Sequence, residues 1–156
     1  MTDCLLSAEP TTASSQMSDP TKKTRVILVD DHPAVLRQTM QLLPERFEIV
    51  DTSQDGLDLL NSVRELQPDV IVLDITLPMM SGMELARRVR TAGYKTKIVF
   101  LTVHADPDYL SEAFDVGALG YVTKPRLASD LIPALDAALI GKRFVSPCPE
   151  LAGFTS

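Results

Sequence analysis

The stretch Asp69-Val70-Ile71-Val72-Leu73-Asp74, continued by Ile75-Thr76-Leu77-Pro78, decides the fold of this chain. Four consecutive apolar residues, three of them β-branched, are typical of a strand buried on both faces in a parallel sheet. The strand ends on the carboxylate of Asp74. A buried carboxylate is costly unless it is paired, caps a helix or has a chemical role. In open parallel sheets, ligands bind at the carboxyl ends of the strands. Asp74 is therefore either a turn or capping residue or part of a site.

The composition is that of an ordinary globular chain. Its 156 residues, 45% hydrophobic and 23% charged, are enough for one domain with a sizeable core. The net charge of -6 argues against an extended nucleic-acid-binding surface. The two cysteines, Cys4 and Cys148, form neither a disulfide framework nor a metal motif, which indicates a reducing compartment and a cytoplasmic location. No apolar run approaches the roughly 20 residues that span a membrane, and no secretory signal is evident.

From Arg25 onward, a short apolar strand alternates five times with an amphipathic helix. The predicted strands are 26–29, 47–50, 69–74, 98–101 and 119–122. Three of the predicted helices span 33–43, 107–116 and 129–141, and Pro133 falls in the first turn of the last. Another helix is capped by Asp55 and reaches residue 66. The remaining helix runs from Gly82 to about residue 90. The second strand alternates apolar and charged residues, which favours an edge position. Five such units predict an α/β fold, a doubly wound parallel (βα)₅ sheet with helices on both faces.

Four of the five predicted strands end on a reactive polar side chain. These side chains are Asp30 with Asp31, Asp74, Thr102 and Lys124. Because the carboxyl ends of adjacent parallel strands meet at one edge, we expect the groups to lie together. Three carboxylates repel one another unless a cation neutralises them, and Mg²⁺ is the usual cation for carboxylate and phosphate oxygens. A carboxylate nucleophile, a metal ion, a hydroxyl and a lysine are the groups that an aspartyl-phosphate requires.

These motifs resemble the receiver domains of two-component response regulators, most closely the subfamily with a LuxR-type helix-turn-helix output domain. The matching segments are Val-Ile-Leu-Val-Asp-Asp-His-Pro at 26–33, Asp74 with Leu-Pro-Met-Met-Ser-Gly at 77–82, Leu-Thr-Val-His at 101–104, and Gly-Ala-Leu-Gly-Tyr-Val-Thr-Lys at 117–124. The resemblance implies a flavodoxin-like, five-stranded sheet in the order 2-1-3-4-5. It places a receiver domain at 25–147, between a disordered N-terminal tail at 1–24 and a C-terminal tail at 148–156.

The resemblance also implies a role for each polar group. Asp74 is implied as the phosphoacceptor. The implied Mg²⁺ ligands are Asp30, Asp31, Asp74 and the backbone carbonyl of Thr76. One of the first two aspartates could instead merely cap the first helix. Two histidines on different loops, His32 and His104, are not expected to bind metal.

A second group of residues is implied in holding and reading the phosphoryl group. Thr102 and Lys124 are expected to hold its oxygens, and Tyr121 is expected to turn inward as Thr102 moves. Val103 is expected to limit the approach of water and so to gate dephosphorylation. Packing alone is the alternative for both Tyr121 and Val103. The Lys124–Pro125 bond is cis in many receivers, whereas most X–Pro bonds are trans.

The function implied is a phosphorylation switch rather than an enzyme, apart from its own phosphorylation and dephosphorylation. The expected donor is a sensor histidine kinase or a histidine phosphotransfer protein, and the helix 4–strand 5–helix 5 surface is expected to bind a downstream protein. A homodimer formed on phosphorylation is a further option. The sequence ends at Ser156 without room for an output domain, so we expect a stand-alone receiver without direct nucleic-acid or membrane contact.

Two alternatives remain open at this stage. A haloacid-dehalogenase-type phosphohydrolase uses an Asp-x-Asp signature, and Thr76 at the second position counts against it. A receiver-like interaction module that is never phosphorylated would not need the intact set of acidic, threonine and lysine residues.

Overall fold

The structure is a computed structural model that describes residues 22–147. The two predicted tails, 1–24 and 148–156, lie outside these residues except for 22–24, and so do Cys4 and Cys148. Lys22 and Lys23 are exposed, and Thr24 opens the first strand.

Strands and helices alternate along the described residues. The strands are β1 (Thr24–Val29), β2 (Phe47–Ser53), β3 (Val70–Asp74), β4 (Lys97–Thr102), β5 (Gly120–Thr123) and β6 (Phe144–Val145). The helices are α1 (Pro33–Leu42), α2 (Leu59–Leu66), α3 (Gly82–Thr91), α4 (Pro107–Asp115) and α5 (Leu127–Leu139). All strand pairs are parallel, in the order β2-β1-β3-β4-β5-β6. The predicted doubly wound fold, with the second strand at an edge, is confirmed.

The core consists of two apolar layers, one on each face of the sheet. Alternate residues of a strand point to opposite faces, so Ile71 and Leu73 enter one layer while Val70 and Val72 enter the other. The first layer includes side chains from α2, α3 and α4, and the second includes side chains from α1 and α5. Burial on both faces explains why β3 is an unbroken apolar run.

The sheet has one strand more than the five predicted. Phe144 N–H donates to the Leu119 carbonyl at 2.8 Å and Ser146 N–H to the Tyr121 carbonyl at 2.9 Å, which makes β6 an edge strand beside β5. Sequence pattern did not indicate this strand because it has only two residues, which follow a glycine and two basic residues. Long-range pairing, rather than local preference, forms it.

Two helix starts differ from the predictions. Asp55 does not cap α2; its Oδ1 atom accepts the N–H of Leu57 at 3.0 Å, and the cap position falls to Asp58, which makes no side-chain capping bond. A 3₁₀ turn over Lys124–Arg126 leads directly into α5, so Pro133 lies inside the helix and not in its first turn. Pro133 is on the exposed face, where water can reach the carbonyl that loses its helical donor.

No helix within residues 22–147 is both long enough and apolar enough to cross a bilayer.

Candidate functional site

Strand register brings the predicted polar groups to one edge of the sheet. Asp74 is the last residue of β3 and is aligned with Leu101, the neighbour of Thr102 on β4. Thr102 is aligned with Thr123, which directly precedes Lys124. On the other side, Val29 of β1 is aligned with Leu73, so Asp30 emerges beside Asp74. The expectation that these groups converge is therefore confirmed.

Lys124 lies between two buried carboxylates. Its Nζ atom is 2.8 Å from Asp30 Oδ2 and donates a hydrogen bond to Asp74 Oδ2 at 3.1 Å. Asp30 and Asp74 are each only 2% exposed. The backbone N–H of Thr76 donates to the other oxygen of Asp74 at 3.2 Å, so both Asp74 oxygens are held.

The loop after Asp74 depends on a close approach by Gly82. The N–H of Gly82 donates to the Ile75 carbonyl at 2.7 Å, which places the start of α3 against the end of β3. A Cβ atom at Gly82 would lie 2.1 Å from the carbonyl oxygen of Asp74. Ser81 caps α3 by accepting the N–H of Glu84 at 3.2 Å, so Asp74 is not a helix cap.

Asp30 and Asp31 are not helix caps either. The N-cap position of α1 belongs to His32 and has no side-chain capping bond. Asp30 Oδ1 instead accepts the N–H of His32 at 2.8 Å, which draws the imidazole into the site. His32 Nδ1 lies 3.2 Å from Asp30 Oδ1 and 3.0 Å from Asp31 Oδ1. This histidine was not expected at the site, although its position directly after Asp31 placed it within reach.

Burial and like charge oppose ionisation of the phosphoacceptor candidate. The pKa of Asp74 is raised, first by burial and then by the charge of Asp30, against the opposing effect of Lys124 and the Thr76 N–H. For Lys124, burial alone would lower the pKa, but the carboxylates of Asp30 and Asp74 raise it overall. The carboxyl groups of Asp30 and Asp74 thus favour the charged form of Lys124.

The donor set suits a divalent cation. Asp30, Asp31, His32 and Asp74 each offer one ligand atom, and these atoms all lie within 4.8 Å of one another. Ligands of an octahedral Mg²⁺ at about 2.1 Å stand roughly 3.0 to 4.2 Å apart, so small side-chain movements would suffice. Asp31 Oδ1 is also buried without a hydrogen-bond partner, whereas Asp30 Oδ2 has the Lys124 ammonium 2.8 Å away. A buried oxygen without a partner is an atom that a cation satisfies.

Thr102 and Tyr121 are joined through the backbone of His104. The hydroxyl oxygen of the fully buried Thr102 accepts the His104 N–H at 3.1 Å. The Tyr121 hydroxyl donates to the His104 carbonyl at 2.8 Å, with the ring fully buried. The His104 imidazole reaches back to the phosphoacceptor loop, where its Nε2 atom lies 3.0 Å from Thr76 Oγ1. No sequence pattern indicates this last contact, because the two residues lie on separate loops.

Two further expectations concern the rim of the site. Val103 is 63% exposed, so it does not belong to the core. The described residues contain no cis peptide bond, and Lys124–Pro125 is therefore trans. The trans bond lies within the 3₁₀ turn that precedes α5.

Comparison with known proteins decides the family. Residues 26–136 match the model of the response regulator receiver domain. The chain belongs to this family. The match favours the receiver interpretation over the phosphohydrolase alternative.

Solved receiver domains share the fold. A LuxR-family two-component response regulator from Aurantimonas sp. is 34% identical with a TM-score of 0.77, over 85% of this chain and 94% of that one. The isolated receiver domain of RcsB from Salmonella enterica serovar Typhimurium, solved in the presence of the phosphomimetic BeF₃⁻, is 27% identical with a TM-score of 0.75, over 86% of this chain and 100% of that one.

Two curated relatives carry names of transcriptional regulators. A putative transcriptional regulator of Pseudomonas aeruginosa is 35% identical over 75% of this chain and 57% of its own length. The regulatory protein YxjL of Bacillus subtilis is 34% identical over 77% of this chain and 56% of its own. The chain thus spans a little over half the length of these relatives.

Proposed function

We propose that Asp74 accepts a phosphoryl group from a histidine kinase or a histidine phosphotransfer protein in a Mg²⁺-dependent reaction. We propose further that this modification switches the surface formed by α4, β5 and α5. The observation that carries the proposal is the placement of Asp74. Its buried carboxylate lies 3.1 Å from Lys124 Nζ and shares a cluster of ligand atoms, all within 4.8 Å, with Asp30 and Asp31.

The chemistry is an in-line displacement at phosphorus. A carboxylate oxygen of Asp74 forms the new bond, and the donor nitrogen or oxygen departs with the electrons of the bond that breaks. Mg²⁺, held by Asp30, Asp31, Asp74 and the Thr76 carbonyl, would neutralise charge on the phosphoryl oxygens. The Lys124 ammonium, released from Asp74 as that carboxylate becomes an acyl phosphate, remains close enough to bind a phosphoryl oxygen.

The contacts of Thr102 support a route from the site to the switch surface. If the Thr102 side chain moves so that its hydroxyl donates to a phosphoryl oxygen, its contact with the His104 N–H is lengthened or lost. His104 also supplies the carbonyl that the Tyr121 hydroxyl binds, so a shift of this backbone alters the surroundings of the tyrosine. Tyr121 lies on β5 and shares an apolar layer with Leu110 and Ala113 of α4, which supports a link from Thr102 to the proposed surface. The differential contacts of the phosphoryl group supply the free energy for the shift.

We place the reaction in the cytoplasm and assign the readout to protein contacts. The downstream occupant of the switch surface is a protein partner or a second phosphorylated copy of this chain. The net charge of -6 supports a protein partner over direct binding of nucleic acid by this region.

Labelling with a small phosphodonor tests the proposal. Acetyl phosphate with Mg²⁺ should modify one residue, and borohydride trapping followed by mass spectrometry should locate it at Asp74. EDTA should abolish the label, and Asp74→Asn should lose it, whereas the exposed-site control Asp136→Asn should retain it. A label retained at wild-type level in Asp74→Asn contradicts the assignment.

A further inference from the structure

His32 stands at the mouth of the cation site. Its Nδ1 atom lies 3.0 Å from Asp31 Oδ1, 3.2 Å from Asp30 Oδ1 and 3.3 Å from Lys124 Nζ. The backbone N–H of His32 donates to Asp30 Oδ1 at 2.8 Å, so the residue is held to the cluster by its main chain as well. The imidazole is 61% exposed, which leaves room for the ring to adjust.

The oxygens beside the imidazole include one that lacks a hydrogen-bond partner. Asp30 Oδ2, whose side chain is only 3% exposed, already has the Lys124 ammonium 2.8 Å away. Asp31 Oδ1, the oxygen nearest to the imidazole, is buried without a hydrogen-bond partner. A cation bound between His32 and Asp31 could satisfy this oxygen.

The added nitrogen changes which cations the site suits. Mg²⁺ takes oxygen ligands almost exclusively, whereas Co²⁺, Ni²⁺ and Zn²⁺ bind imidazole nitrogen together with carboxylate oxygen. Metal–nitrogen and metal–oxygen bonds of about 2.0 to 2.2 Å separate neighbouring ligand atoms by roughly 3.0 to 3.6 Å. The measured distances from Nδ1 to the two aspartate oxygens fall at the lower end of that range.

We propose that His32 is a ligand at this site and that it lets the receiver bind a late first-row transition metal, such as Co²⁺ or Zn²⁺, through one nitrogen and the carboxylates of Asp30, Asp31 and Asp74. The inference rests on the metal site of the proposed function. In the hydrogen bond of Nδ1 with the Asp30 carboxylate, the imidazole is the donor. Metal binding replaces that proton by using the Nδ1 lone pair, so the ring proton then resides on Nε2. Mg²⁺ does not use His32, and its binding is independent of this residue.

Metal titrations of the full chain test the inference. Cys4 and Cys148 are replaced by serine throughout, so that thiolates do not compete for the metal. Co²⁺ affinity is measured from its visible absorption and by calorimetry, and Mg²⁺ affinity by calorimetry, for the wild type, His32→Gln and Asp136→Asn. Asp136→Asn is the control, because it changes an exposed side chain whose ion-pair partner is Arg46 and not a residue of the site. Melting temperatures verify that each variant is folded.

His32→Gln should weaken Co²⁺ binding at least about tenfold and leave Mg²⁺ affinity within about twofold. Asp136→Asn should leave both affinities unchanged. Unchanged Co²⁺ affinity in His32→Gln overturns the inference, and so does an equal loss of Co²⁺ affinity in His32→Gln and Asp136→Asn. Asp31→Asn separates this failure from a failure of the proposed function. If Asp31→Asn weakens the binding of neither metal, the proposed magnesium site is wrong, and the inference about His32 is wrong as well.

Discussion

At the scale of single residues, Asp74 shows how burial and charge act on one carboxyl group. Its pKa is raised by burial and by Asp30, so the ionised form is less favourable in the folded protein than in the unfolded chain. For a raised carboxyl pKa, stability is greatest below the unfolded value and falls as the pH rises through the folded pKa. At neutral pH, Asp74 therefore destabilises the metal-free fold and prepares the site for a cation.

We expect Asp74→Asn to raise the melting temperature in EDTA at pH 7, because the substitution removes a buried charge beside Asp30. The wild type should gain stability on adding Mg²⁺, by about 2.7 kcal/mol at a concentration 100 times the dissociation constant. Asp74→Asn should gain much less. Thermal denaturation with and without Mg²⁺ measures both effects, and the exposed control Asp115→Asn should behave like the wild type. An identical Mg²⁺ response in Asp74→Asn would count against its role as a ligand.

Val103 presents a second prediction at this scale. Its side chain is 63% exposed and follows Thr102, on the edge of the sheet where the phosphoryl group would be held. A β-branched side chain is stiff, so Val103 would obstruct water that approaches in line with the breaking bond. We expect Val103→Ala to shorten the lifetime of the phosphorylated protein several-fold, with a change in stability within about 0.5 kcal/mol.

The matched control is Val26→Ala, the same chemical change at a fully buried position near the far end of β1. This variant should lose stability, by about 2 kcal/mol, and keep the wild-type decay rate. Decay of the phosphorylated protein and melting temperature are measured for both variants. An unchanged decay rate in Val103→Ala removes this residue from the mechanism.

At the scale of elements, Gly82 couples α3 to the phosphoacceptor loop. A Cβ atom there would lie 2.1 Å from the Asp74 carbonyl oxygen, so the backbone itself must move. We expect Gly82→Ala to lower stability by about 1 to 3 kcal/mol and to slow labelling of Asp74 by at least tenfold.

Gly93→Ala controls for the loss of stability alone. Gly93 has a φ of +90° and no atom within 4 Å of an added Cβ, so alanine is strained there without touching the site. It should lower the melting temperature and leave the labelling rate intact. Equal labelling rates in the two variants would show that the close approach at Gly82 does not position Asp74.

The segment after α5 is held to the domain by a buried polar network. Ser146 Oγ donates to Asp130 Oδ2 at 2.7 Å and accepts the Thr123 N–H at 3.1 Å. Arg126 also donates to Asp130 at 2.7 Å. Burial alone would raise the pKa of Asp130, but the hydrogen bonds from Arg126, Ser146 and Ser129 lower it overall. The carboxylate thus joins β6, α5 and the end of β5.

The sign of this shift sets the pH dependence. A lowered carboxyl pKa contributes stability above the unfolded value, near 3.8, and this stability is lost as the pH falls through the folded pKa. We expect Asp130→Asn to cost about 1.5 to 3 kcal/mol at pH 7 and progressively less below about pH 4. Asp136→Asn, which removes an exposed ion pair with Arg46, should cost under about 1 kcal/mol. If the loss of stability in Asp130→Asn is the same at pH 7 and below pH 4, this account is contradicted.

The elements differ in how far the sequence predicted them. The central strands were predictable because an apolar run such as 70–73 has few alternatives to burial in a sheet. The strand β6 and the network at Ser146 were not, since each depends on hydrogen bonds between residues far apart in the chain. The start of α5 was not either, because a 3₁₀ turn over Lys124–Arg126 leads into the helix before the predicted first residue. At the site, the residues at strand ends were predictable from topology. The contact of His32 with Asp31 and the contact of His104 with Thr76 depend on loop conformations that no local pattern specifies.

At the scale of the whole molecule, the site and the proposed switch surface are parts of one packed sheet. Tyr121 of β5 and Leu110 of α4 belong to the apolar layer on one face of the sheet, and Leu131 of α5 belongs to the layer on the other face. Arg143, just before β6, stacks over the ring of Phe114 on α4, with its guanidinium carbon 4.3 Å from the ring centre. A movement at Thr102 therefore has packed routes to α4, α5 and the segment that follows them.

Amide chemical shifts on adding beryllofluoride and Mg²⁺ test the central claim most directly, that a phosphoryl group on Asp74 switches the α4–β5–α5 surface. In the wild type, shifts should extend from the loops around Asp30, Asp74 and Lys124 to residues 107–140. Asp74→Asn should show none of them. Shifts confined to the three loops would contradict the switch, and an equal response in Asp74→Asn would contradict the assignment of Asp74 itself.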